Sequence, residues 1–211
     1  MKLISLNVGK PQPYAYRGKH GMTSIFKFPV AGARDVTAVN IEGDEQSDLS
    51  VHGGRLKAVY SYDRSYYDLW KNIIDREDWS YGLFGENLTT EGLADDSICV
   101  GDVYQVGSVV LKAVQPRFPC FKLNIRFANN NMIQLFTKVA RNGTYFSVLQ
   151  PGRLQAGDKI HLVEKTPHQV TIQQLVDCYY NKGADKDLLA DILKIDFLPE
   201  YLYKAFKSFH Q

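Results

Sequence analysis

The chain has 211 residues, of which 45% are hydrophobic and 23% are charged, and its formal net charge is +2. This length suits one large or two small domains, and the near-neutral charge gives no general case for a nucleic-acid polymer or a membrane surface as a partner. Three widely spaced cysteines without a CxxC pair indicate neither a disulfide framework nor a structural zinc site. No apolar run has the length of a signal peptide or a membrane span. We therefore expect a cytoplasmic protein.

The amino-terminal part of the chain is predicted to form strands. The β-rich segments at residues 3–8, 23–30 and 34–41 are typical of short strands. Because side chains alternate across a strand, Ile25 and Lys27 are predicted to point to the same face of the second segment. If that face lines a cleft, Lys27 supplies one fixed positive charge; otherwise it is a solvated lysine at a sheet edge.

A polar connection at residues 43–57 combines acids, a histidine, a glycine pair and two bases. The consecutive Gly53 and Gly54 let the backbone turn sharply and bring its N–H groups close to a ligand, as in anion-binding nests. Arg55 or Lys57 could then bind a phosphate group together with these N–H groups, although the spacing is not that of a P-loop. A polar turn without any ligand is the alternative interpretation.

His52 lies in the same connection and titrates near neutral pH, so it could donate protons. Three acidic residues precede it and could either orient its ring or face water: Asp44, Glu45 and Asp48. Their positions in the sequence do not decide between these roles.

The middle of the chain is predicted to hold one helix and several strands. Apolar side chains at spacings of three and four predict an amphipathic core helix that begins near Asp63. The glycine-bounded segment 85–92 is predicted to be a strand, whose Asn87 could present its amide to a heterocycle or form a turn. Segments 103–106 and 109–114 predict a hairpin that turns at Gly107 and Ser108.

Cys120 follows this hairpin in a stiff corner. Pro116 and Pro119 fix their own φ angles and push the residues before them towards extended geometry. Arg117 and Lys122 could stabilise a thiolate, which would make Cys120 a competent nucleophile or metal ligand. The alternative is a small buried hydrophobic residue, the commonest role of a free cysteine.

The last part of the chain is predicted to be helical. A short helix at residues 132–141 and a last strand at residues 158–163 come first. Residues 171–174 then form a capping box, residues 188–192 carry a second helical stripe, and Pro199 opens a third helix.

We therefore predict a mainly β fold with peripheral helices, divided into a β domain at residues 1–164 and a three-helix domain at residues 165–211. The second unit is too small to be comfortably stable alone. It should pack on the β domain or on a second subunit of a homodimer.

Taken together, these segments resemble the MOSC family, named for the carboxy-terminal domain of molybdenum cofactor sulfurases, and in particular its YiiM-like bacterial group. The resemblance covers nearly the whole chain. It rests on residues 24–27 (SIFK), 43–46 (GDEQ) with Asp48, 52–54 (HGG), 85–90 (GENLTT), 115–117 (QPR), 119–120 (PC) and 122–124 (KLN).

The resemblance implies a closed or nearly closed β-barrel that holds a molybdenum cofactor (molybdenum bound to molybdopterin), with Cys120 as the protein ligand to the metal. The implied activity is reduction of N-hydroxylated bases such as 6-hydroxylaminopurine to the amine, with electrons from a separate flavoprotein. Relatives often carry an acid where this chain has Leu56.

On this basis we assign the remaining site roles as expectations. His52 is the candidate proton donor, and Asp48 orients it. The phosphate and pterin of the cofactor would be bound by Lys27, Gly53, Gly54, Lys57, Asn87, Arg117 and Asn124.

Three other functions stay open at this stage. Cys120 could carry a persulfide or the cofactor itself and pass it on without turnover. It could be the nucleophile of a cysteine hydrolase with His52 as the base. The fold could also be purely structural, in which case replacing Cys120 would change neither activity nor cofactor retention.

Overall fold

The structure is a computed structural model that describes residues 1–47 and 53–210. Its strands are β1 (Lys2–Val8), β2 (Gln12–Tyr16), β3 (Lys19–Thr23), β4 (Phe28–Pro29), β5 (Arg34–Val36), β6 (Val59–Asp63), β7 (Leu88–Glu91), β8 (Val103–Val106), β9 (Val109–Pro116), β10 (Thr144–Gln150), β11 (Gly152–Leu154) and β12 (Ile160–Glu164). Its helices are α1 (Arg64–Lys71), α2 (Lys122–Phe127), α3 (Met132–Val139), α4 (Ile172–Tyr180), α5 (Lys186–Leu193) and α6 (Glu200–Phe209).

Eight strands form one mixed sheet in the order β12-β8-β9-β10-β6-β7-β1-β4. The β6–β7 pair is parallel, and the other neighbours in this sheet pair antiparallel. Strands β2 and β3 form a separate hairpin, and β5 pairs with β11. The fold is thus a mixed sheet with several peripheral helices.

The closed or nearly closed barrel that the resemblance implies is not confirmed. Over the described residues, the ladder runs from β12 to β4, and an isolated bridge joins Lys2 to Lys159, just before β12. Backbone bonds near this bridge join Leu3 to Gly157 and Asp158, and the Ile160 N–H donates to the Met1 carbonyl at 2.9 Å. The sheet therefore curves back towards itself, but these few bonds at the start of β12 do not form a continuous ladder between β12 and β1.

Several local predictions are confirmed. Asp63 caps α1, because its side chain accepts a hydrogen bond from the Ser65 backbone N–H at 3.0 Å. Thr171 and Gln174 form both bonds of the capping box at α4. Strands β8 and β9 form the predicted hairpin around Gly107.

The predicted strand at residues 23–30 is wrong over most of its length, since residues 24–27 lie between β3 and β4 without strand pairing. The Thr23 hydroxyl accepts a hydrogen bond from the Ile25 N–H at 3.3 Å, and the Lys27 N–H donates to the Ile25 carbonyl at 3.0 Å. Gly82 packs against this segment with φ of 84°, and a Cβ there would lie 2.7 Å from the Lys27 carbonyl oxygen. This segment is therefore held by close backbone packing against Gly82, and not by pairing with a neighbouring strand.

The predicted strand at residues 34–41 is also shorter, because β5 ends at Val36. The chain then turns at Thr37, whose N–H donates to the Asn40 carbonyl at 2.8 Å, and Ile41 bridges back to Val36. Strands β2, β3, β10 and β11 and helix α2 were not predicted.

The three carboxy-terminal helices share one hydrophobic cluster with the sheet. Leu175 of α4, Ile192 of α5 and Phe206 of α6 are fully buried together with Leu3 and Leu111 of the sheet. The division at residue 164 into two domains stays a prediction. Within residues 1–47 and 53–210, each helix is too short or too polar to cross a bilayer.

Candidate functional site

Cys120 lies in the short connection between β9 and α2, as a half-buried free thiol. The connection is fixed to the start of β10. The Arg117 N–H donates to the Gly143 carbonyl at 3.1 Å, and the Asn142 side-chain amide donates to the Arg117 carbonyl at 2.8 Å. The predicted stiff corner is therefore held by hydrogen bonds to a neighbouring strand as well as by its prolines.

Two adjoining cavities meet at Cys120. A narrow inner cavity of about 90 Å³ reaches down to Lys27, Asn87 and Arg117. A wide outer cavity of about 730 Å³ adjoins it. The residues common to both linings are Ser47, Lys57, Cys120, Lys122 and Tyr145. The thiol thus faces open space rather than an aliphatic core, which favours a functional role over the buried-hydrophobe alternative.

Lys27 forms a buried ion pair with Asp44. The other contacts of Asp44 are also buried, because its carboxylate accepts hydrogen bonds from the Gly9 N–H at 2.8 Å and the Asn87 side-chain amide at 2.9 Å. Burial lowers the pKa of Lys27, while the charges of Asp44 and Glu86 act in the opposite direction. The predicted cation therefore lines the cavity, but with a carboxylate as its partner.

Arg117 is buried beneath aromatic rings, with its guanidinium 5.2 Å from the centre of the Tyr60 ring and 5.7 Å from that of Phe136. Burial opposes its charge, but attraction to Tyr60, Tyr145 and Cys120 outweighs this and raises the pKa of Arg117. Among the described residues, its Nη1 has no hydrogen-bond partner, and neither has the buried Ser24 hydroxyl on the same cavity. The guanidinium also bonds the Tyr60 and Tyr145 side chains, so the feature expected of an anion site is the single Nη1, a buried cationic N–H without a partner.

The two predicted amides differ in position. Asn87 lines the inner cavity, but its amide is already used within the protein, since Nδ2 bonds Asp44 and Oδ1 accepts from the Tyr60 N–H at 3.2 Å. Asn124 lies outside both cavity linings. Its side chain instead bonds the Tyr16 hydroxyl at 2.9 Å and the Ile133 N–H at 3.1 Å, which ties α2 to its neighbours.

The glycine pair is not brought into the inner cavity. Gly54 lines a separate shallow depression beside Gln46, to whose side-chain oxygen its N–H donates at 3.2 Å. Lys57, three residues later, does reach both cavities and its pKa is lowered by burial. The predicted acid–base residues His52 and Asp48 lie outside the described residues, so their roles remain predictions.

Sequence reasoning missed Tyr145 and Ser24 as cavity residues. Tyr145 is held on β10, where the β-branched and aromatic residues after Gly143 are a strand signal that could have placed it. Burial raises the pKa of Tyr145, and the charge of Arg117 acts against this effect. Ser24 belongs to the SIFK segment on which the resemblance rests, but only Lys27 of that segment was assigned to the site, because the position of Ser24 at the cavity depends on the unpaired segment between β3 and β4.

Asp95 stabilises the connection that contains Arg117 and Cys120. Its carboxylate accepts hydrogen bonds from the Asn142 N–H at 2.8 Å and the Gly143 N–H at 2.9 Å, and both of these residues bond the Arg117 backbone. Burial raises the pKa of Asp95 from 3.8 to about 6, although these two N–H groups act in the opposite direction.

We expect the free energy of unfolding to depend on this carboxyl group. The folded chain holds the Asp95 proton more tightly than the unfolded chain does, so this contribution to stability is lost as the pH rises from about 4 to about 6. A pKa rise of this size corresponds to a contribution of about 3 kcal/mol to the free energy of unfolding. Urea unfolding from pH 4 to pH 7 should show Asp95→Asn becoming more stable relative to wild type as the pH rises. The control is Asp75→Asn, because Asp75 is exposed and lies outside the hydrogen-bonded surroundings of Asp95. Equal trends in both variants would contradict the assignment.

The chain is similar to known proteins over most of its length. Residues 48–161 match the model of the MOSC domain, and this segment includes Cys120. The chain is 38% identical to uncharacterized protein YflK of Bacillus subtilis over 94% of this chain and 89% of that protein. It is 32% identical to protein YiiM of Escherichia coli over 87% of this chain and 81% of that protein.

Two further relatives extend the comparison. A protein named reductase from Gibberella moniliformis is 29% identical over 95% of this chain, which corresponds to 36% of that longer protein. The crystal structure of YiiM from Geobacillus stearothermophilus superimposes with a TM-score of 0.82 at 27% identity, covering 100% of this chain and 99% of that one. The chain therefore belongs to the MOSC domain family and is a YiiM-like member of it.

Proposed function

We propose that this protein is an oxidoreductase that binds the molybdenum cofactor through Cys120 and reduces N-hydroxylated bases, such as 6-hydroxylaminopurine, to the amine. The observation that carries this proposal is the position of Cys120, at the junction of a narrow polar cavity with a wide one. A reactive thiol at such a junction can contact a cofactor that extends from the outer cavity into the inner one. The name of the fungal relative, reductase, supports the reaction class.

The residues around the two cavities fit the cofactor, because the inner cavity of about 90 Å³ can take an anionic group and the outer cavity of about 730 Å³ has room for the pterin. Its phosphate and dithiolene groups are anionic, and Arg117 offers a buried guanidinium Nη1 that lacks a partner among the described residues. Lys57 and Lys122 add positive charge at the junction. The cysteine thiolate is a soft ligand that suits molybdenum alongside dithiolene sulfurs.

When bound, the cofactor would supply a metal that changes its oxidation state by two electrons. The side chains divide the remaining tasks. Cys120 ligates through Sγ, Arg117 donates hydrogen bonds to an anionic group, and the Asp44 carboxylate fixes the ammonium of Lys27 beside the same cavity. Reduction of R–NHOH takes two electrons and two protons and yields R–NH2 and water. His52, oriented by Asp48, remains our candidate for delivering the protons.

The proposal includes a partner and a location. Electrons would come from a separate flavoprotein, the donor that the resemblance to the MOSC family implies. A free thiolate ligand requires reducing surroundings, so we place the reaction in the cytoplasm.

The test is turnover by cofactor-loaded protein. Purified protein with measured molybdenum and pterin content is incubated with reduced methyl viologen and 6-hydroxylaminopurine, and the amine is quantified by chromatography. We expect amine formation in proportion to molybdenum content. A carrier of sulfur or cofactor would retain molybdenum but form no amine, and a cysteine hydrolase would remain active after the metal is removed; either result would overturn the proposal.

A further inference from the structure

Positive charge is segregated along the chain, although the net charge is only +2. Residues 1–34 and 103–157 contain no aspartate or glutamate, so all 23 acidic residues lie in residues 35–102 and 158–211. The two acid-free segments carry thirteen basic residues: Lys2, Lys10, Arg17, Lys19, Lys27, Arg34, Lys112, Arg117, Lys122, Arg126, Lys138, Arg141 and Arg153. A surface built mainly from these segments attracts an anionic partner.

The two acid-free segments meet beside the outer cavity. Tyr16 of the β2–β3 hairpin stacks on Phe121, which lines this cavity, with 5.8 Å between the ring centres. The Tyr16 hydroxyl also bonds the Asn124 side chain of α2 at 2.9 Å. Among the described residues that line the outer cavity, the charged ones are Lys57 and Lys122, and both are basic. The hairpin and α2 therefore bring their positive charges to the edge of this cavity.

Arg17 stands at the tip of the hairpin in a conformation that arginine rarely adopts. Arg17 and Gly18 have φ angles of 49° and 75°, which are the signs that a type I′ turn requires. Asparagine is favoured at the first of these positions, because the left-handed region crowds a longer side chain. The Arg17 guanidinium lies 5.3 Å from the centre of the Tyr16 ring, so its charge lies beside the aromatic stack at the cavity wall.

Lys19 adds a second charge to the hairpin. It pairs with Tyr16 across the turn, and both Lys19 and Arg17 are exposed. Within the part of the chain that the structure describes, neither of these side chains forms an ion pair. Their charges are therefore available to a partner in solution.

Helix α2 continues the positive charge. Arg126 lies one turn after Lys122, so the two basic side chains share a face of the helix. The Arg126 guanidinium lies 5.2 Å from the centre of the Phe28 ring on β4. Phe28 and Met22 are each 48% exposed, and Met22 belongs to the lining of the outer cavity. Arginine beside exposed methionine and phenylalanine is the composition of a protein–protein interface, which favours a protein over another polyanion.

We propose that Arg17, Lys19 and Arg126, together with Met22 and Phe28, form a basic face on which an acidic flavoprotein docks beside the outer cavity. The role of this partner rests on the proposed function. Electron-transfer partners form small, short-lived complexes, in which complementary charge raises the association rate. In each turnover two flavin hydroquinones would each lose one electron and become semiquinones, while R–NHOH takes up these two electrons and two protons and yields R–NH2 and water.

Binding is measured first, with fluorescently labelled flavodoxin, an acidic FMN protein, as the probe. The test variant combines Arg17→Asn, which suits the left-handed turn, with Lys19→Glu. The matched control combines Lys2→Asn with Lys159→Glu, two exposed lysines joined by a backbone bridge at the start of β1, whose other end leads to the inner cavity. By anisotropy, the test variant should bind about tenfold more weakly than the control at about 20 mM NaCl, and this difference should shrink at about 200 mM NaCl, because salt screens exposed charges.

Three results of the binding measurement would overturn the proposal. Wild type could fail to bind flavodoxin, or the test variant and the control could bind it equally well. The protein could also bind phosphatidylglycerol vesicles more tightly than flavodoxin, in which case the basic face would be a membrane-binding surface.

Turnover by cofactor-loaded protein separates this inference from the proposed function. With reduced flavodoxin as the donor and 6-hydroxylaminopurine as the substrate, the kcat/KM for flavodoxin should fall about tenfold in the test variant. With reduced methyl viologen, a small dye that needs no docking face, the test variant, the control and wild type should form amine at the same rate. Equal kcat/KM values for flavodoxin would contradict the docking face. If no protein forms amine with either donor while the flavodoxin affinities follow the expected order, the docking face stands and the proposed reaction falls.

Discussion

Replacing Cys120 by serine is expected to remove molybdenum and activity together. A serine hydroxyl is a hard, protonated oxygen at neutral pH, whereas the metal ligand that we propose is a soft thiolate. Loss of groups that only support a metal ligand commonly costs about 10–100-fold in affinity or activity, so loss of the ligand itself should cost at least about 100-fold. Metal analysis, pterin fluorescence and amine formation in side-by-side preparations measure this effect.

The matched control is Cys99→Ser. Cys99 is also a half-buried free thiol, but it lines neither the inner nor the outer cavity. It should keep wild-type metal content and turnover, and both variants should unfold at temperatures close to that of wild type. A Cys120→Ser protein that retains the cofactor would remove Cys120 from the proposed site, and an equal loss in Cys99→Ser would point to a general effect of thiol replacement.

The parts of this fold that could be predicted from sequence depend on local chemistry. Caps at Asp63 and Thr171 and the turn at Gly107 involve residues only a few positions apart, so their spacing carries the information. The position of Cys120 after a core strand follows from the same reasoning. The resemblance to the MOSC family supplied the function that we propose, and the match of residues 48–161 to the MOSC domain model confirms the family.

The arrangement within the site could not be predicted in the same way, because it depends on contacts between distant parts of the chain. Asp44 was considered only as a partner of His52 or of water, whereas it pairs with Lys27, which is 17 residues away. Asn124 was assigned to the cofactor from its place in a motif, whereas its side chain bonds the Tyr16 hydroxyl across 108 residues. Hydrophobic periodicity does not encode such polar partners.

Sheet closure illustrates the same limit at a larger scale. Whether the two sides of a curved sheet pair depends on the accumulated twist and register of all its strands. Here β1 carries a register irregularity between Leu3 and Ser5, and β12 carries another between Leu162 and Glu164. Neither irregularity is signalled by a glycine or proline in those strands, so the strand sequences offered no check on the closed or nearly closed barrel that the resemblance implies.

Removing the Asp44 carboxylate is expected to produce the largest loss of stability. Asp44→Ala would leave the Lys27 ammonium buried without its counter-charge, and the Gly9 N–H and the Asn87 amide would each lose an acceptor. Breaking a buried ion pair from one side costs about 3–5 kcal/mol, because an uncompensated charge remains away from water. The free energy of unfolding in urea should fall by this amount at pH 7.

Two comparisons make this expectation specific. Lys27→Met combined with Asp44→Ala should recover part of the loss, since the charge that made the single change costly is absent, and the resulting double-mutant cycle measures the coupling between the two side chains. Asp68→Ala breaks an exposed ion pair with Lys71 of 3.0 Å and should cost no more than about 1 kcal/mol. Asp44→Ala could instead lower the free energy of unfolding no more than Asp68→Ala does. In that case the ion pair with Asp44 does not fix Lys27 in the inner cavity, and the position of Lys27 depends on the packing of its backbone against Gly82.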